Sequence, residues 1–350
     1  MKQLVHGGDW AGYRAQFGHD ALDLSANVSP LGLPEGVAKA ITASLSTADR
    51  YPDPLCRALR EALARHEAVP MEHILCGNGA ADLIFRLVLA RKPRKALVPA
   101  PTFAEYTSAL ETVGCTVQRF FLSEAQDFAV TETFISAVDE TTDMVFLCQP
   151  NNPTGQLTPL PLVEALLHRC EACGAMLVVD ECFLDFLPDC DARTAKKFLA
   201  SQNLLLLKAF TKLYGMAGVR LGYCLCADTA LLEAMQTAGQ PWGVSSLAQA
   251  AGLAALREPA YVQQVRALIA QQRPILRNGL RTLGLRVLDG RANYLLFQGP
   301  ETLGESLRQR GIVLRSCANY PGLDGSWYRT AVRTGPENQQ FLQTLAEVLK

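Results

Sequence analysis

The runs DMVFLC, AMLVVD and LLLLKAF (residues 143–148, 175–180 and 204–210) are apolar at nearly every position and too short for helices. A strand with one wet face alternates polar and apolar residues. A strand that is apolar throughout needs cover on both faces, which a parallel sheet wrapped by helices provides. The intervening segments supply that cover. ILCGNGAADLIFRLVLA reads as strand end, glycine turn and helix; KALVPA as a strand followed by a helix around FAEYTSALETVG; and 161–173 as a helix. In PLCRALREALARHEAV, Leu55, Leu59 and Leu63 recur at helical spacing. The pattern predicts an α/β fold with a mostly parallel sheet in a large domain.

Beyond residue 228 the pattern changes. Helical segments dominate to about residue 281, including a long one from Ser245. RVLDG, NYLLFQG, a helix, IVLRS, WYRTAVRT and a terminal helix then predict a smaller α+β domain. The first 35 residues read as an irregular arm that packs with it. The expected division is residues 1–46 as arm and part of the small domain, 47–245 as the large domain and 246–350 as the C-terminal small domain.

Against 33 basic residues stand 34 acidic ones, so no electropositive surface for nucleic acid is expected. The 11 cysteines are scattered and odd in number, which argues for a reducing compartment and against a disulfide scaffold. Cys170/Cys173 and Cys224/Cys226 are the only tight pairs; without further ligands at zinc spacing they read as inert thiols, and no metal is expected. MKQLVHGGDW lacks the apolar core of a signal peptide, and no run reaches the roughly 20 apolar residues of a membrane span. A cytoplasmic location, without membrane contact, is the expectation.

The residues that carry chemistry fall at strand ends. Asp180 closes AMLVVD, at the carboxyl edge where open α/β sheets bind ligands. There it acts either as a loop acid or as a carboxylate keeping a ring nitrogen protonated. Lys212 follows LLLLKAF among Phe210, Leu213 and Tyr214, apolar surroundings that lower an amine pKa and suit Schiff-base chemistry. Thr211, and Arg220 eight residues after Lys212, offer donors to a phosphate. CGNGAAD sets glycines before a helix that starts near Ala80, an anion-binding arrangement. It lacks the third glycine of a dinucleotide fingerprint and the lysine of a P-loop. QPNNPTG carries Asn152, a turn residue or a donor to a phenolate oxygen, and PTFAEY carries Phe103, core or stacking platform.

In this order the elements resemble the fold-type-I pyridoxal 5′-phosphate (PLP) enzymes of the aspartate aminotransferase fold, and within them the histidinol-phosphate aminotransferase family, over essentially the whole chain. The resemblance implies that Lys212 forms a Schiff base with PLP and Asp180 pairs with the pyridine nitrogen. Asn152 would bond the 3-oxygen, and Phe103 and Cys182 would cover the two ring faces. Gly79, Ala80, Thr211 and Arg220 would hold the cofactor phosphate. Tyr51, in DRYPDP, would reach the phosphate of a partner subunit, making a homodimer, and Arg329 would bind the substrate carboxylate. The family usually has tyrosine three residues after the aspartate; here Phe183 stands there, which removes one hydrogen bond to the 3-oxygen. HGGD, LSANVSPLG, RSCANYPGLD and YRTAVRT, with Phe183, resemble the threonine-phosphate decarboxylase branch, which serves cobalamin biosynthesis. That branch implies a small phosphorylated amino acid as substrate. His6 and Arg315 would then meet its phosphate, and Asn152 and Arg329 its carboxylate. Transamination of histidinol phosphate, and a non-enzymatic α/β protein, remain the alternatives at this stage.

Overall fold

A computed structural model of the chain describes residues 6–350; the first five residues of the arm lie outside them. Helix α1 (Trp10–Phe17) and the short strand β1 (Leu22–Asp23) precede α2 (Glu35–Ser44) and α3 (Arg57–Glu67). Strands and helices then alternate: β2 (Ile74–Gly77), α4 (Ala80–Arg91), β3 (Lys95–Ala100), α5 (Glu105–Glu111), β4 (Thr116–Phe121), α6 (Glu132–Ser136), β5 (Met144–Cys148), α7 (Leu160–Cys173) and β6 (Met176–Asp180). After β7 (Leu204–Ala209) come α8 (Phe210–Leu213), β8 (Gly222–Cys226), α9 (Thr229–Ala238), α10 (Ser246–Ala255) and α11 (Pro259–Thr282). The chain ends with β9 (Tyr294–Gln298), α12 (Leu303–Arg308), β10 (Ile312–Val313), β11 (Arg315–Ser316), β12 (Trp327–Ala331) and α13 (Gly335–Val348).

Seven strands form one sheet in the order β2-β8-β7-β6-β5-β3-β4, in which only β8 runs against its neighbours. Both faces are covered, as the apolar runs require. Leu177, Val179, Leu204 and Leu206 enter one core, and Val178, Leu205, Leu207 and Phe146 the other. β4 and β8 were not singled out in the sequence: β4 is an outer strand with polar positions, and β8 is short. Cys224 and Cys226 lie two apart on β8, opposite Leu207 and Leu205, so their spacing is the strand's own period. Burial pushes the Cys226 thiol up to about 11 and holds Cys224 higher still.

β9, β11 and β12 form a three-stranded antiparallel sheet. β1 pairs with β10 in parallel, and the Ala331 N–H donates to the Leu24 carbonyl. The arm is thus joined to the C-terminal strands. Among the described residues no helix is long and apolar enough to cross a membrane.

Three local expectations need correction. The arm is not irregular throughout: Asp9 caps α1 by accepting from the Gly12 N–H at 3.0 Å, and Gly18 ends it with φ 77°. The long helix from Ser245 is two helices, because Pro259 has no N–H to continue the ladder and instead starts α11. Leu55 precedes α3 and is exposed, with the turn at Cys56 (φ 48°) between them.

Gly222 joins sheet to helix at a point where only hydrogen fits. A Cβ there would lie 2.6 Å from the Ala80 nitrogen and 2.8 Å from the Gly79 carbonyl carbon, both backbone atoms at the start of α4. Gly222→Ala should displace that turn and cost about 1–3 kcal/mol of stability, read from denaturant unfolding; an unchanged midpoint would show that the turn yields freely.

Candidate active site

The carboxyl ends of β5, β6 and β7 open into a narrow cavity of about 100 Å³. Asp180, the last residue of β6, is buried there. Its Oδ2 accepts from the Tyr106 hydroxyl at 2.7 Å and its Oδ1 from the Cys182 N–H at 3.0 Å. Tyr106 is held in turn by stacking on Phe146 (centroids 4.7 Å apart) and by the edge of Phe103 at 5.5 Å. Burial, reinforced by the charge on Asp180, pushes the Tyr106 phenol well above its ordinary value, so it remains a donor. Among the described residues no cation lies within ion-pair distance of Asp180, although its two donors satisfy only part of a carboxylate's capacity.

Lys212 stands on the one-turn helix α8, directly after β7, with its amine 5.6 Å from the Phe183 ring centre. The side chain faces the cavity, but surrounding protein atoms desolvate the amine and hold it below the ordinary lysine value; Arg329 and Arg220 act in the same direction. The arm fixes this turn from above. Ser29 N–H donates to the Lys212 carbonyl at 2.9 Å, and Tyr261 clamps the same strap by donating to the Ser29 hydroxyl at 2.7 Å.

Beside it lies a cradle for an anion. Gly79 caps α4 with φ 84°, and a Cβ there would lie 2.7 Å from Arg220 Nη2. Its absence lets the guanidinium lie against a helix start whose N–H groups lack intrahelical acceptors. Arg220 itself takes a left-handed φ of 63°, a conformation costing about 1 kcal/mol for a residue with a Cβ. Thr211 and Ala80 complete the wall.

The donor set fits PLP: one desolvated amine, one buried carboxylate without its own cation, apolar walls and an anion cradle at one end. Of the ten residues expected to hold that cofactor, Ala80, Phe103, Asn152, Asp180, Cys182, Thr211, Lys212 and Arg220 line the cavity, and Gly79 adjoins it. Tyr51 does not. It is 80% exposed and stacks on Trp242, at 4.4 Å between centroids, outside this chain's own cavity.

A wider cleft of about 510 Å³ lies above the amine, lined by His6, Asn152, Lys212, Arg315 and Arg329. Arg315 donates to the Ser316 carbonyl and to Asn319 Oδ1, and packs over Tyr320. Arg329 donates to Asn152 Oδ1 and, at 2.7 Å, to the Ser25 carbonyl. The Asn27 amide lies against Arg329, and turning its oxygen toward the guanidinium would let it accept from Nε at 3.1 Å. His6 Nε2 meets Glu105 at 2.7 Å.

Sequence reasoning missed Tyr106 and Asn27. Tyr106 stands in the same PTFAEY segment as Phe103, one helical turn on, and could have been suspected from that spacing; Asn27 carried no signal beyond its motif. Tyr106→Phe should weaken PLP binding to apoprotein by about tenfold or more, the worth of one hydrogen bond to a charged group. Titration by visible absorbance measures this, and wild-type affinity would remove Tyr106 from the role.

Comparison with known proteins matches this geometry. Residues 19–345 match the family described as aminotransferase class I and II. The threonine-phosphate decarboxylase of Salmonella typhimurium is 39% identical over 94% of this chain and 91% of its own length. A histidinol-phosphate aminotransferase of Desulfitobacterium hafniense is 34% identical over 95% and 92%. The structure of histidinol-phosphate aminotransferase from Sinorhizobium meliloti in complex with pyridoxal-5′-phosphate superposes with a TM-score of 0.88 at 22% identity, covering 99% of this chain and 96% of that one, which shows the shared fold. The chain therefore belongs to the class I and II aminotransferase family, fold type I, and its cofactor is PLP.

Proposed function

We propose that the protein decarboxylates L-threonine O-3-phosphate to (R)-1-amino-2-propanol O-2-phosphate, a step in cobalamin biosynthesis. The observation that carries this reading is a pair of facing arginines. Arg315 on β11 and Arg329 on β12 are direct cross-strand partners, both buried and both on the wall of the cleft above Lys212. Like charges directly opposite one another repel. A small molecule carrying both a phosphate and a carboxylate offsets that repulsion at both ends. Histidinol phosphate has a phosphate but no carboxylate, so an aminotransferase would need the second arginine for its acceptor instead. The higher identity to the decarboxylase relative and the phenylalanine at 183 support the same choice.

In this mechanism Lys212 Nζ, uncharged at lower pH than a solvated lysine, would hold PLP through its amine and would return a proton to the substrate α-carbon. Asp180 keeps the pyridine nitrogen protonated. The bound cofactor then supplies a sink for the electron pair released at the α-carbon. Asn152, its oxygen taken by Arg329, has amide donors for the 3-oxygen and for the carboxylate. Phe103 and Cys182 would cover the ring faces, and Gly79, Ala80, Thr211 and Arg220 would hold the cofactor phosphate. His6 and Arg315 grip the substrate phosphate. With that end fixed, Arg329 would hold the carboxylate and so set which bond at the α-carbon breaks. We also propose a homodimer in which Tyr51 reaches the partner's cofactor phosphate; sedimentation of the holoenzyme as a single 38.1 kDa species would exclude it.

Incubation with O-phospho-L-threonine and no 2-oxo acid should release CO₂ and aminopropanol phosphate. No release, together with amino transfer from histidinol phosphate to 2-oxoglutarate, would make the protein an aminotransferase. Lys212→Ala should abolish the visible band of lysine-bound cofactor. Arg315→Ala and His6→Ala should raise the KM for phosphorylated substrate by about tenfold or more while leaving cofactor retention near wild type. Equal loss of both would assign them to folding.

A further inference from the structure

Directly behind the cofactor site, on the opposite face of the sheet, lies a buried ionic cluster that the mechanism does not use. Residues that alternate along a strand point to opposite faces, and here the alternation separates two kinds of chemistry. Asp180 shares its face with Val178 and turns to Tyr106, whereas Glu181 continues on the face of Val179. On β7, Leu207 packs on the cofactor side and Lys208 on the far side. Lys208 is the hub: its Nζ lies 2.9 Å from Asp185, 3.8 Å from Glu67 and 3.9 Å from Glu181.

Each carboxylate is itself tied to another element. Glu67, at the end of α3, accepts from Lys196 at 2.8 Å and from Tyr223 of β8 at 2.5 Å. Glu181 accepts from the Thr194 hydroxyl and the Ala195 N–H, each at 2.7 Å. Lys208, Glu67 and Glu181 are all buried. Burial opposes the charge on Glu67, but Lys208, Lys196 and Tyr223 together hold it down at about 2.

A cluster of this kind is a poor device for stability alone, since desolvation consumes most of the Coulomb attraction and well-packed apolar side chains serve as well. What it does supply is fixed geometry. At the carboxyl edge the ladder runs out: Glu181 N–H to the Leu207 carbonyl, 2.9 Å, is the last bond joining β6 to β7. Asp180 precedes that bond, and Lys212 follows Lys208 by four residues, across the junction of β7 and α8. We propose that Lys208 is a positioning residue for the cofactor site, fixing from behind the sheet the two strand ends that carry Asp180 and Lys212. This rests on those two residues serving PLP as set out above, which the spectra of wild type and Lys212→Ala test separately.

Three holoenzyme variants test the proposal. Lys208→Arg keeps the charge and has room in the adjoining cavity of about 360 Å³. Lys208→Met with Glu181→Gln removes the hub without stranding that carboxylate. Asp185→Asn removes only the part-exposed partner. The readouts are the pH midpoint of the visible band of lysine-bound cofactor, cofactor affinity and apoprotein melting. Asp185→Asn and the double variant should shift the midpoint by about half a pH unit or more and weaken cofactor binding several-fold, while Lys208→Arg stays near wild type. Variants that melt lower but keep the wild-type midpoint and affinity would reduce the cluster to a structural role. If the double variant does not fold, Asp185→Asn decides alone, and an unchanged midpoint in it overturns the proposal.

Discussion

The site depends on a buried carboxylate that forms no ion pair among the described residues. Asp180 sits at a sheet edge, enclosed by Tyr106, Cys182 and the apolar wall, and takes two hydrogen bonds. An ionised group in such a place is costly unless something cationic shares it. Under the proposed function the cofactor would bring a ring nitrogen able to take a proton, and the demand of the aspartate and that of the chemistry would be met together. The cavity's other features suit seating that ring: a desolvated amine, an anion cradle beside it, and apolar walls.

The sheet divides labour between its faces. One face at the carboxyl edge holds groups that line the cavity, and the other holds charges locked against one another around Lys208. The strand's two-residue period makes this possible with adjacent residues, Asp180 and Glu181, assigned to opposite tasks. Above the sheet the substrate cleft is built from parts far apart in sequence. The strap around Ser25 and Asn27 and the strand bearing Arg329 meet there through backbone and side-chain hydrogen bonds.

Much of this was legible in the residues. The apolar runs dictated a sheet covered on both sides, and strand ends are where an open α/β sheet binds, so Asp180, Lys212 and Asn152 could be named from position. Local order was harder to read. The helix in the arm depends on a single aspartate cap and a glycine stop within a polar segment, and the break before Pro259 lies inside an otherwise continuous helical pattern. Tyr106 escaped because a buried tyrosine on an amphipathic helix looks like core; only the 2.7 Å bond to Asp180 separates the two. The choice between breaking the carboxylate bond and the C–H bond is not written in residue types. Under the proposed function it would depend on torsion about one substrate bond, set by where the guanidinium groups of Arg315 and Arg329 lie.

The parallel pairing of β1 with β10 has a consequence for how the molecule is made. Leu22 and Asp23 find their partners only in Ile312 and Val313. During synthesis β1 emerges some 290 residues before the strand it pairs with and stays without that mate until residues 312 and 313 are made. The seven-stranded sheet, complete by residue 226, can assemble long before. The strap over Lys212 draws on partners at 212 and 261, so its contacts become available before those of β1.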